Sequence, residues 1–180
     1  MKFREVTLPD GQRFQVPQGI QRIDSSSTHG WQVRHKGTKL FSDGETHDPR
    51  QSLINAVSEL QARMTAEPTF RTFNQTAATN KTSDLPSGIS GPIVRKRPDR
   101  ALSASLSVLL PRFGRKSEIR SVYIGTPNTY TKARYLSALE QCVVMRSDAV
   151  RQYEQEANNA HLASVASLRA ALKALRAHQR

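Results

Sequence analysis

The chain is poor in cysteine and in long hydrophobic runs, and each shortage excludes a class of protein. Cys142 is the only cysteine among 180 residues, so neither a disulfide framework nor a cysteine-based zinc finger can form within one chain. No apolar run approaches the ~20 residues that a helix needs to cross a bilayer. The N-terminus also lacks the apolar core of a secretory signal. These absences predict a cytoplasmic protein without membrane association.

Acidic residues are also scarce. The chain has 15 Asp and Glu against 27 Lys and Arg, which gives a net charge of +12. Residues 86–134 hold ten basic and two acidic residues, a net charge of +8. Such a cluster repels itself unless an anion neutralises it, and the commonest polyanionic partner is nucleic acid. The alternative is a basic surface that is merely solvated.

Signatures of catalysis are missing. The five histidines have no metal-ligand spacing, and neither a Walker loop nor a Gly-x-Gly-x-x-Gly turn is present. Cys142 is predicted to pack in a core rather than to carry redox chemistry. One small cluster could bind a cation, but a turn and helix cap are favoured for its members Asp43, Glu45, His47 and Asp48. We therefore expect no enzyme activity, metal, cofactor or small-molecule substrate.

The first half of the chain has the pattern of short strands followed by a helix. The turn Pro9-Asp10-Gly11 predicts an N-terminal β-hairpin. Three more strands are predicted, at residues 19–23, 30–34 and 38–41. Asp48 is predicted to cap a helix that begins at Pro49 and ends near Met64.

The second half repeats this layout after a polar stretch. Residues 102–108 alternate apolar with serine, and residues 119–124 form a further strand. A helix follows from about Thr129, loosened at Asn158-Asn159, with one side expected to consist of Leu136, Leu139, Val143, Val150 and Tyr153. A coiled-coil-like seam then consists of Leu162, Val165, Leu168, Leu172 and Leu175. This seam either packs against the second half or joins two copies of the chain.

These patterns predict an α+β fold with a duplicated unit. Each unit is expected to be a three-stranded antiparallel sheet packed on one helix, with an N-terminal hairpin and a long C-terminal helix in addition. The expected divisions are a hairpin at 1–18, a first module at 19–64, a linker at 65–87, a second module at 88–157 and a helical extension at 158–180.

Short motifs in both halves resemble one DNA-binding family. In the first half they are Gly19-Ile20-Gln21-Arg22-Ile23-Asp24, His29-Gly30-Trp31-Gln32-Val33-Arg34 and Phe41-Ser42-Asp43-Gly44. In the second half they are Val122-Tyr123-Ile124-Gly125-Thr126 and the helix containing Leu136, Ala138 and Leu139. Together they are similar to the AP2 (plant ERF-type) domain in its bacterial and phage form. The resemblance implies a sheet whose open face enters the major groove of double-stranded DNA.

The side chains of the first module suggest which face would read bases. Trp31 and Val33 are expected to pack on the helix, which leaves Gln32 and Arg34 outward. Arginine can read guanine and glutamine can read adenine. In the next strand Lys39 and Phe41 are expected outward and Leu40 inward, although Gln21 occupies one position where the family has arginine. The expected DNA contacts of this module are Arg22, Gln32, Arg34, Lys36, Lys39 and Phe41.

The second module has a different set of outward residues. Its outward strand residues are expected to be Ser103, Ser105, Ser107, Ser121 and Tyr123. Because few of these read bases bidentately, this module is expected mainly to grip the phosphate backbone; the alternative is a degenerate, structural repeat. Its expected DNA contacts are Arg95, Lys96, Arg97, Arg100, Arg112, Arg115, Lys116, Arg120 and Tyr123.

The leading hypothesis is a double-stranded DNA-binding protein, a transcriptional regulator or mobile-element accessory factor that works at the nucleoid. A non-specific architectural protein is the first alternative. A protein–protein interaction module, with a homodimer through the C-terminal helix, is the second. RNA binding ranks lower because no strand carries an RNP-type aromatic pair.

Overall fold

The computed structural model describes residues 1–45, 48–67, 83–96, 98 and 101–177. Within them the fold is α+β, with three small antiparallel sheets of two, three and three strands and a long C-terminal helix. The chain divides into two compact units. The first consists of Met1–Thr69 with Asn159–Arg180, and the second of Phe70–Asn158.

Two sheets belong to the first unit. Strands β1 (Phe3–Thr7) and β2 (Arg13–Pro17) pair as the predicted hairpin, and Gly11 takes a φ of 85° in the turn between them, which favours glycine. Strand β4 (His29–Arg34) lies at the centre of the second sheet, between β3 (Ile20–Asp24) and β5 (Thr38–Ser42).

Helix α1 (Pro49–Ala66) covers one face of this three-stranded sheet. Asp48 caps it as predicted, accepting hydrogen bonds from the backbone N–H groups of Arg50 and Gln51. Trp31 is fully buried against this helix, and its indole Nε1 donates to the carbonyl of Pro49 at 2.7 Å. The predicted inward orientation of Trp31 and Val33 is therefore confirmed.

The core of the first unit also includes residues of the N-terminal hairpin and of the C-terminal helix. Leu8, Phe14 and Val16 of the hairpin are buried beside Trp31, and Leu168 and Leu172 of the C-terminal helix complete the cluster. The hairpin and the extension, which were predicted as separate segments, thus belong to one unit with the first module. A two-stranded hairpin is only marginally stable alone, so burial of its apolar side accounts for this arrangement.

The second unit contains strands β6 (Ile89–Arg95), β7 (Ser103–Leu110) and β8 (Glu118–Gly125), with β7 at the centre. Helix α2 (Lys132–Ala177) runs unbroken through Asn158 and Asn159, where loosening was predicted. Two asparagines inside a long helix cost only about 0.7 kcal/mol each, which packing outweighs. Its first part belongs to this unit, and its last part, from Asn159, belongs to the first unit.

The buried side of α2 matches the predicted one only in part, because Leu139 packs against the core of the second unit as predicted. Leu136 and Val143 are exposed, whereas Ala138 and Cys142 are buried against the sheet. Apolar residues occur all around this segment, so their spacing does not select one side. The small side chains at 138 and 142 allow the helix to approach the sheet closely. Burial raises the pKa of the Cys142 thiol, as expected for the core position predicted for it.

The predicted apolar seam at the end of α2 packs against other residues of the same chain. Val165, Leu168 and Leu172 are buried, and Leu168, Leu172 and Leu175 pack in the core of the first unit rather than on the second half of the chain. Leu162 remains exposed. In the part of the chain that the structure describes, no helix combines the length and apolar character needed to cross a membrane.

Candidate nucleic-acid interface

The three-stranded sheet of the first unit turns one face to α1 and the other to solvent. Paired residues in neighbouring strands share a face, so the register identifies the members of each. The outward side, called the first face below, consists of Gln21, Ile23, Gly30, Gln32, Arg34, Thr38, Leu40 and Ser42. Polar side chains predominate on it.

Gln32 and Arg34 lie side by side on the central strand of the first face, as predicted. The Nε of Arg34 donates to the Oε1 of Gln32 at 2.5 Å, which uses one of the five N–H donors of the guanidinium. Gln21 is paired with Gln32 across the strands and is exposed. Gln21 is not among the predicted contacts, yet it lies on the same face as Gln32 and Arg34.

Arg22, a predicted DNA contact, lies on the helix side of the sheet and not on the first face, because it is paired with the buried Trp31. Its Nη1 and Nη2 donate to the carboxylate of Asp43 at 3.0 and 2.7 Å, and it also pairs with Asp24 at 2.8 Å. The guanidinium lies 5.2 Å from the centroid of the Trp31 ring. Burial alone lowers the pKa of Arg22, but the hydrogen bonds to Asp43 and Asp24 outweigh it and raise the pKa.

The orientation predicted for β5 is reversed. Phe41 is paired with Trp31 and packs beside the core, and Lys39 is paired with Val33 on the same helix side. The Nζ of Lys39 donates to Glu59 of α1 at 3.0 Å. Leu40, predicted inward, is 40% exposed on the first face. Lys39 and Phe41 are therefore not part of the candidate interface.

The turn between β4 and β5 holds Lys36, another predicted contact. Lys36 has a φ of 48° and its Nζ lies 2.9 Å from the carboxylate of Glu67. His35 approaches the same carboxylate at 2.6 Å. Lys36 is thus a partly neutralised cation at the end of the sheet.

The N-terminal hairpin adds cations beside the first face that sequence reasoning did not assign. A cleft of about 450 Å³ separates the start of β1 from β3. Arg4 is held at its wall, because its Nη2 donates to the carbonyl of Ile20 at 3.2 Å. The cleft is lined by Lys2, Phe3, Arg4, Gln18, Gly19, Ile20, Gln21 and Arg34. The two basic residues at the start of the chain, Lys2 and Arg4, were the only sequence signal for this arrangement.

The sheet of the second unit also has an open side, called the second face below. The predicted outward orientation of its serines and of Tyr123 is confirmed by the register. The second face consists of Ser90, Ile93, Arg95, Ser103, Ser105, Ser107, Leu109, Ile119, Ser121 and Tyr123. Leu109 and Ile119 are directly opposite one another, next to the turn that follows β7.

A basic turn joins β7 to β8 and carries three of the predicted contacts, Arg112, Arg115 and Lys116. Phe113 in this turn makes an edge-to-face contact with Tyr153 of α2, with ring centroids 5.6 Å apart. That contact fixes the turn on the helix. Arg112 forms an ion pair with Glu118.

The remaining predicted cations of the second unit occupy different places. Arg95 is outward at the end of β6, opposite Ser103, and Lys96 follows it. Arg120 shares the helix side of β8 with Glu118 and pairs with it at 2.7 Å. Arg97 and Arg100 lie outside the described residues.

Metal binding finds no support in the described part of the chain, where no group of three or more His, Cys, Asp or Glu is placed to hold an ion. Of the acidic cluster considered above, Asp43 bonds Arg22 and Asp48 caps α1. His47 lies outside the described residues.

The ion pairs on the helix side of the first sheet predict acid sensitivity of the first unit. The hydrogen bond from Arg22, and then that from His29, lowers the pKa of Asp24 from its ordinary 3.8 against the opposing effect of burial. Asp24 therefore stabilises the fold fully above pH 3.8, and this contribution is lost as the pH falls through the lower folded pKa. Trp31, the only tryptophan, reports unfolding of this unit by fluorescence.

We expect Asp24→Asn to reduce the loss of stability of the first unit between pH 5 and pH 2, measured by urea unfolding at each pH. Asp148→Asn, in the second unit, is the control and should leave the pH dependence of the Trp31 signal as it is. An Asp24→Asn profile parallel to that of the unaltered chain would contradict this assignment.

No protein-family model matches the chain, and neither a curated protein nor a solved structure gives a significant match.

Proposed function

We propose that this chain is a double-stranded DNA-binding protein, a transcriptional regulator that reads the major groove with the outward faces of two AP2-like units. The observation that carries the proposal is the open first face, with Gln32 and Arg34 adjacent on its central strand. These two side-chain types form the bidentate pairs that read adenine and guanine.

The dimensions of the first face fit this role. Three strands about 4.8 Å apart make a backbone face roughly 10 Å wide. The major groove of B-DNA is about 12 Å wide. The cations of the hairpin, Lys2 and Arg4, flank the face on the side of β3, where a phosphate backbone would run.

The charge distribution supports the same proposal. The net charge of +12 favours a polyanion. Four described cations of the second unit lie at the two ends of its sheet, Arg95 and Lys96 at one end and Arg115 and Lys116 in the turn at the other. Contacts to phosphate position a protein on DNA, while contacts to base edges select the sequence.

Selection from a random double-stranded DNA library tests the proposal. The full chain would be incubated at about 0.15 M salt with excess competitor DNA, and the bound molecules sequenced. We expect an enriched motif, because Gln32 and Arg34 offer directional base contacts. Absence of any binding to DNA would overturn the proposal.

Non-specific architectural binding is the second candidate, and the second face favours it. That face carries serines and aliphatic residues instead of bidentate readers, with cations at its ends. Binding without an enriched motif in the same selection would support this candidate over sequence-selective regulation.

Arg34→Ala is expected to weaken discrimination between the selected motif and unrelated DNA by roughly 1–3 kcal/mol, because a bidentate base contact is lost. The measurement is a competition titration with both duplexes. Lys39→Ala is the matched control: Lys39 lies on the helix side and pairs with Glu59, so discrimination should persist. Equal effects of the two substitutions would show that the first face does not read bases.

A further inference from the structure

The cleft between the N-terminal hairpin and β3 concentrates positive charge within the first unit. Lys2, Arg4 and Arg34 line it, and neither aspartate nor glutamate is among its lining residues. Within the described part of the chain, none of these three cations forms an ion pair. Three like charges around one cavity repel one another unless an anion lies between them. The cleft is therefore a candidate anion site.

Two of these cations are held in place by hydrogen bonds. The Nη2 of Arg4 donates to the carbonyl of Ile20 at 3.2 Å, and the Nε of Arg34 donates to the Oε1 of Gln32 at 2.5 Å. Each guanidinium has five N–H donors, so each keeps further donors for a ligand. A phosphate monoester suits such a site better than a carboxylate, because it carries a charge of about −1.5 to −2 and three acceptor oxygens.

The rest of the cleft lining suits an organic group with a flat ring and polar edges. Phe3 is 37% exposed there and is not among the residues that pack in the core of the first unit. Every nucleic-acid base has a π-face that can stack on an aromatic side chain. Gln18 and Gln21, both exposed, offer amide donors and acceptors to the edge of a base. The cavity of about 450 Å³ lies within the range of roughly 300–1,000 Å³ that is typical of small-molecule sites.

We propose that this cleft binds one nucleotide unit, with its phosphate held by Lys2, Arg4 and Arg34 and its base against Phe3. A free nucleoside monophosphate and the 5′-phosphorylated end of an unpaired strand both offer this chemistry. Because Arg34 also lies on the first face, a bound nucleotide should lower the affinity of that face for duplex DNA. This competition rests on the proposed function, whereas nucleotide binding itself does not.

A backbone phosphate of duplex DNA is the competing occupant of the cleft. A duplex supplies the phosphate, but its bases are paired and stacked inside the helix and leave no partner for Phe3. The exposed ring at the wall of the cleft therefore favours a nucleotide whose base is unpaired.

Calorimetric titration of the full chain, without duplex DNA, tests the site. The probes are the four nucleoside 5′-monophosphates, the four nucleosides, inorganic phosphate and a 5′-phosphorylated thymidine tetranucleotide, each at about 0.15 M salt. We expect at least one monophosphate to bind about fivefold or more tightly than inorganic phosphate or its own nucleoside, because only the monophosphate fills both parts of the cleft. Binding of the tetranucleotide but of no monophosphate would support the site and identify a strand end as its ligand.

Single substitutions separate the two parts of the cleft. Phe3→Ala is expected to weaken binding of the monophosphate about fivefold or more, through loss of base stacking, and to leave binding of inorganic phosphate unchanged. Lys2→Ala should weaken binding of both about tenfold, because a charge-assisted hydrogen bond is lost. Arg13→Ala is the matched control for Lys2→Ala: it removes one positive charge from the other end of the hairpin, outside the cleft, and should change neither affinity. Trp31 fluorescence checks that the first unit of each variant is folded.

Three outcomes of these titrations would overturn the inference. Absence of binding by every probe would do so and would leave the proposed function standing. Inorganic phosphate bound as tightly as every monophosphate and as the tetranucleotide would do so as well, since the cleft would then be an anion site only. Equal losses in Lys2→Ala and Arg13→Ala would assign binding to net charge rather than to the cleft.

Displacement of a fluorescently labelled duplex by the tightest-binding nucleotide probe tests the competition. We expect the nucleotide to release the duplex from the unaltered chain at the concentrations at which it fills the cleft. A nucleotide that binds without displacing the duplex would overturn the competition for Arg34. A chain that binds a nucleotide but no duplex would retain the cleft site and lose the proposed function.

Discussion

Asp43→Ala is expected to lower the free energy of unfolding of the first unit by about 3–5 kcal/mol, the range for breaking one partner of a buried ion pair. The side chains of Asp43 and Arg22 are 5% and 12% exposed. The Asp43 carboxylate accepts two hydrogen bonds from Arg22 and one from the hydroxyl of Ser52 at 2.5 Å. Its removal leaves the guanidinium buried with only Asp24 as an acidic partner. Urea unfolding followed by Trp31 fluorescence measures the loss.

Arg13→Ala is the control for this prediction. Arg13 pairs with Glu5 at 3.8 Å, and both side chains are more than half exposed, so its removal should cost less than about 1 kcal/mol. A loss at Asp43 as small as that at Arg13 would show that the buried pair adds little. Replacement of both partners by apolar residues, Arg22→Met with Asp43→Leu, should be less damaging than Asp43→Ala, since the one charge that loses a partner, Asp24, is 32% exposed and keeps its contact with His29.

This ion pair also shows why Arg22 could not be assigned from the sequence. An arginine in a strand of a basic protein has the pattern of a DNA contact. Its main partner, Asp43, lies 21 residues further along in a turn that looked like a helix cap, and nothing local links the two. In β3, Ile20, Arg22 and Asp24 share one side of the strand. The side that packs on the helix therefore carries two charged residues, which alternation of polar and apolar residues does not predict.

The side of the sheet on which a residue lies was predictable in strands where apolar and polar residues alternate strictly. Strand β4 places Trp31 and Val33 inward, and strand β7 alternates leucine and valine with serine, and both were assigned correctly. Strand β5 reads Thr-Lys-Leu-Phe-Ser, with large apolar residues at adjacent positions, so either face could have been the buried one. The register decides it, because the turn at residues 35–37 places Phe41 opposite Trp31.

The C-terminal helix shows what the spacing of apolar residues cannot predict. A heptad-like spacing predicts an apolar seam but does not say which surface it meets. Leu168 and Leu172 belong to the same buried cluster as Trp31, although more than 100 residues separate them from Trp31 in the sequence. The hairpin was likewise predictable as a hairpin, while its place depends on contacts that no local pattern indicates, the packing of Phe14 on Trp31 and the hydrogen bond from Arg4 to the carbonyl of Ile20.

If the chain has the proposed function, its affinity for DNA should fall by about two orders of magnitude or more when salt is raised from 50 to 200 mM. Four cations at the ends of the second face, Arg95, Lys96, Arg115 and Lys116, form no ion pair with any described residue. Each phosphate that such a cation neutralises adds about −0.9 to the slope of log affinity against log salt, so four give roughly −3.6. Titrations at several salt concentrations measure the slope.

The double variant Arg115→Ala/Lys116→Ala should reduce this slope by about 1.8 and weaken all sequences alike, because phosphate contacts carry no sequence information. Arg112→Ala/Arg120→Ala is the matched pair: it removes the same charge from the same part of the sheet, but both arginines share Glu118, which already neutralises part of their charge. Its slope should change by less than half as much. Equal changes in the two variants would mean that total charge, rather than the free cations at the ends of the second face, determines how strongly the chain binds DNA.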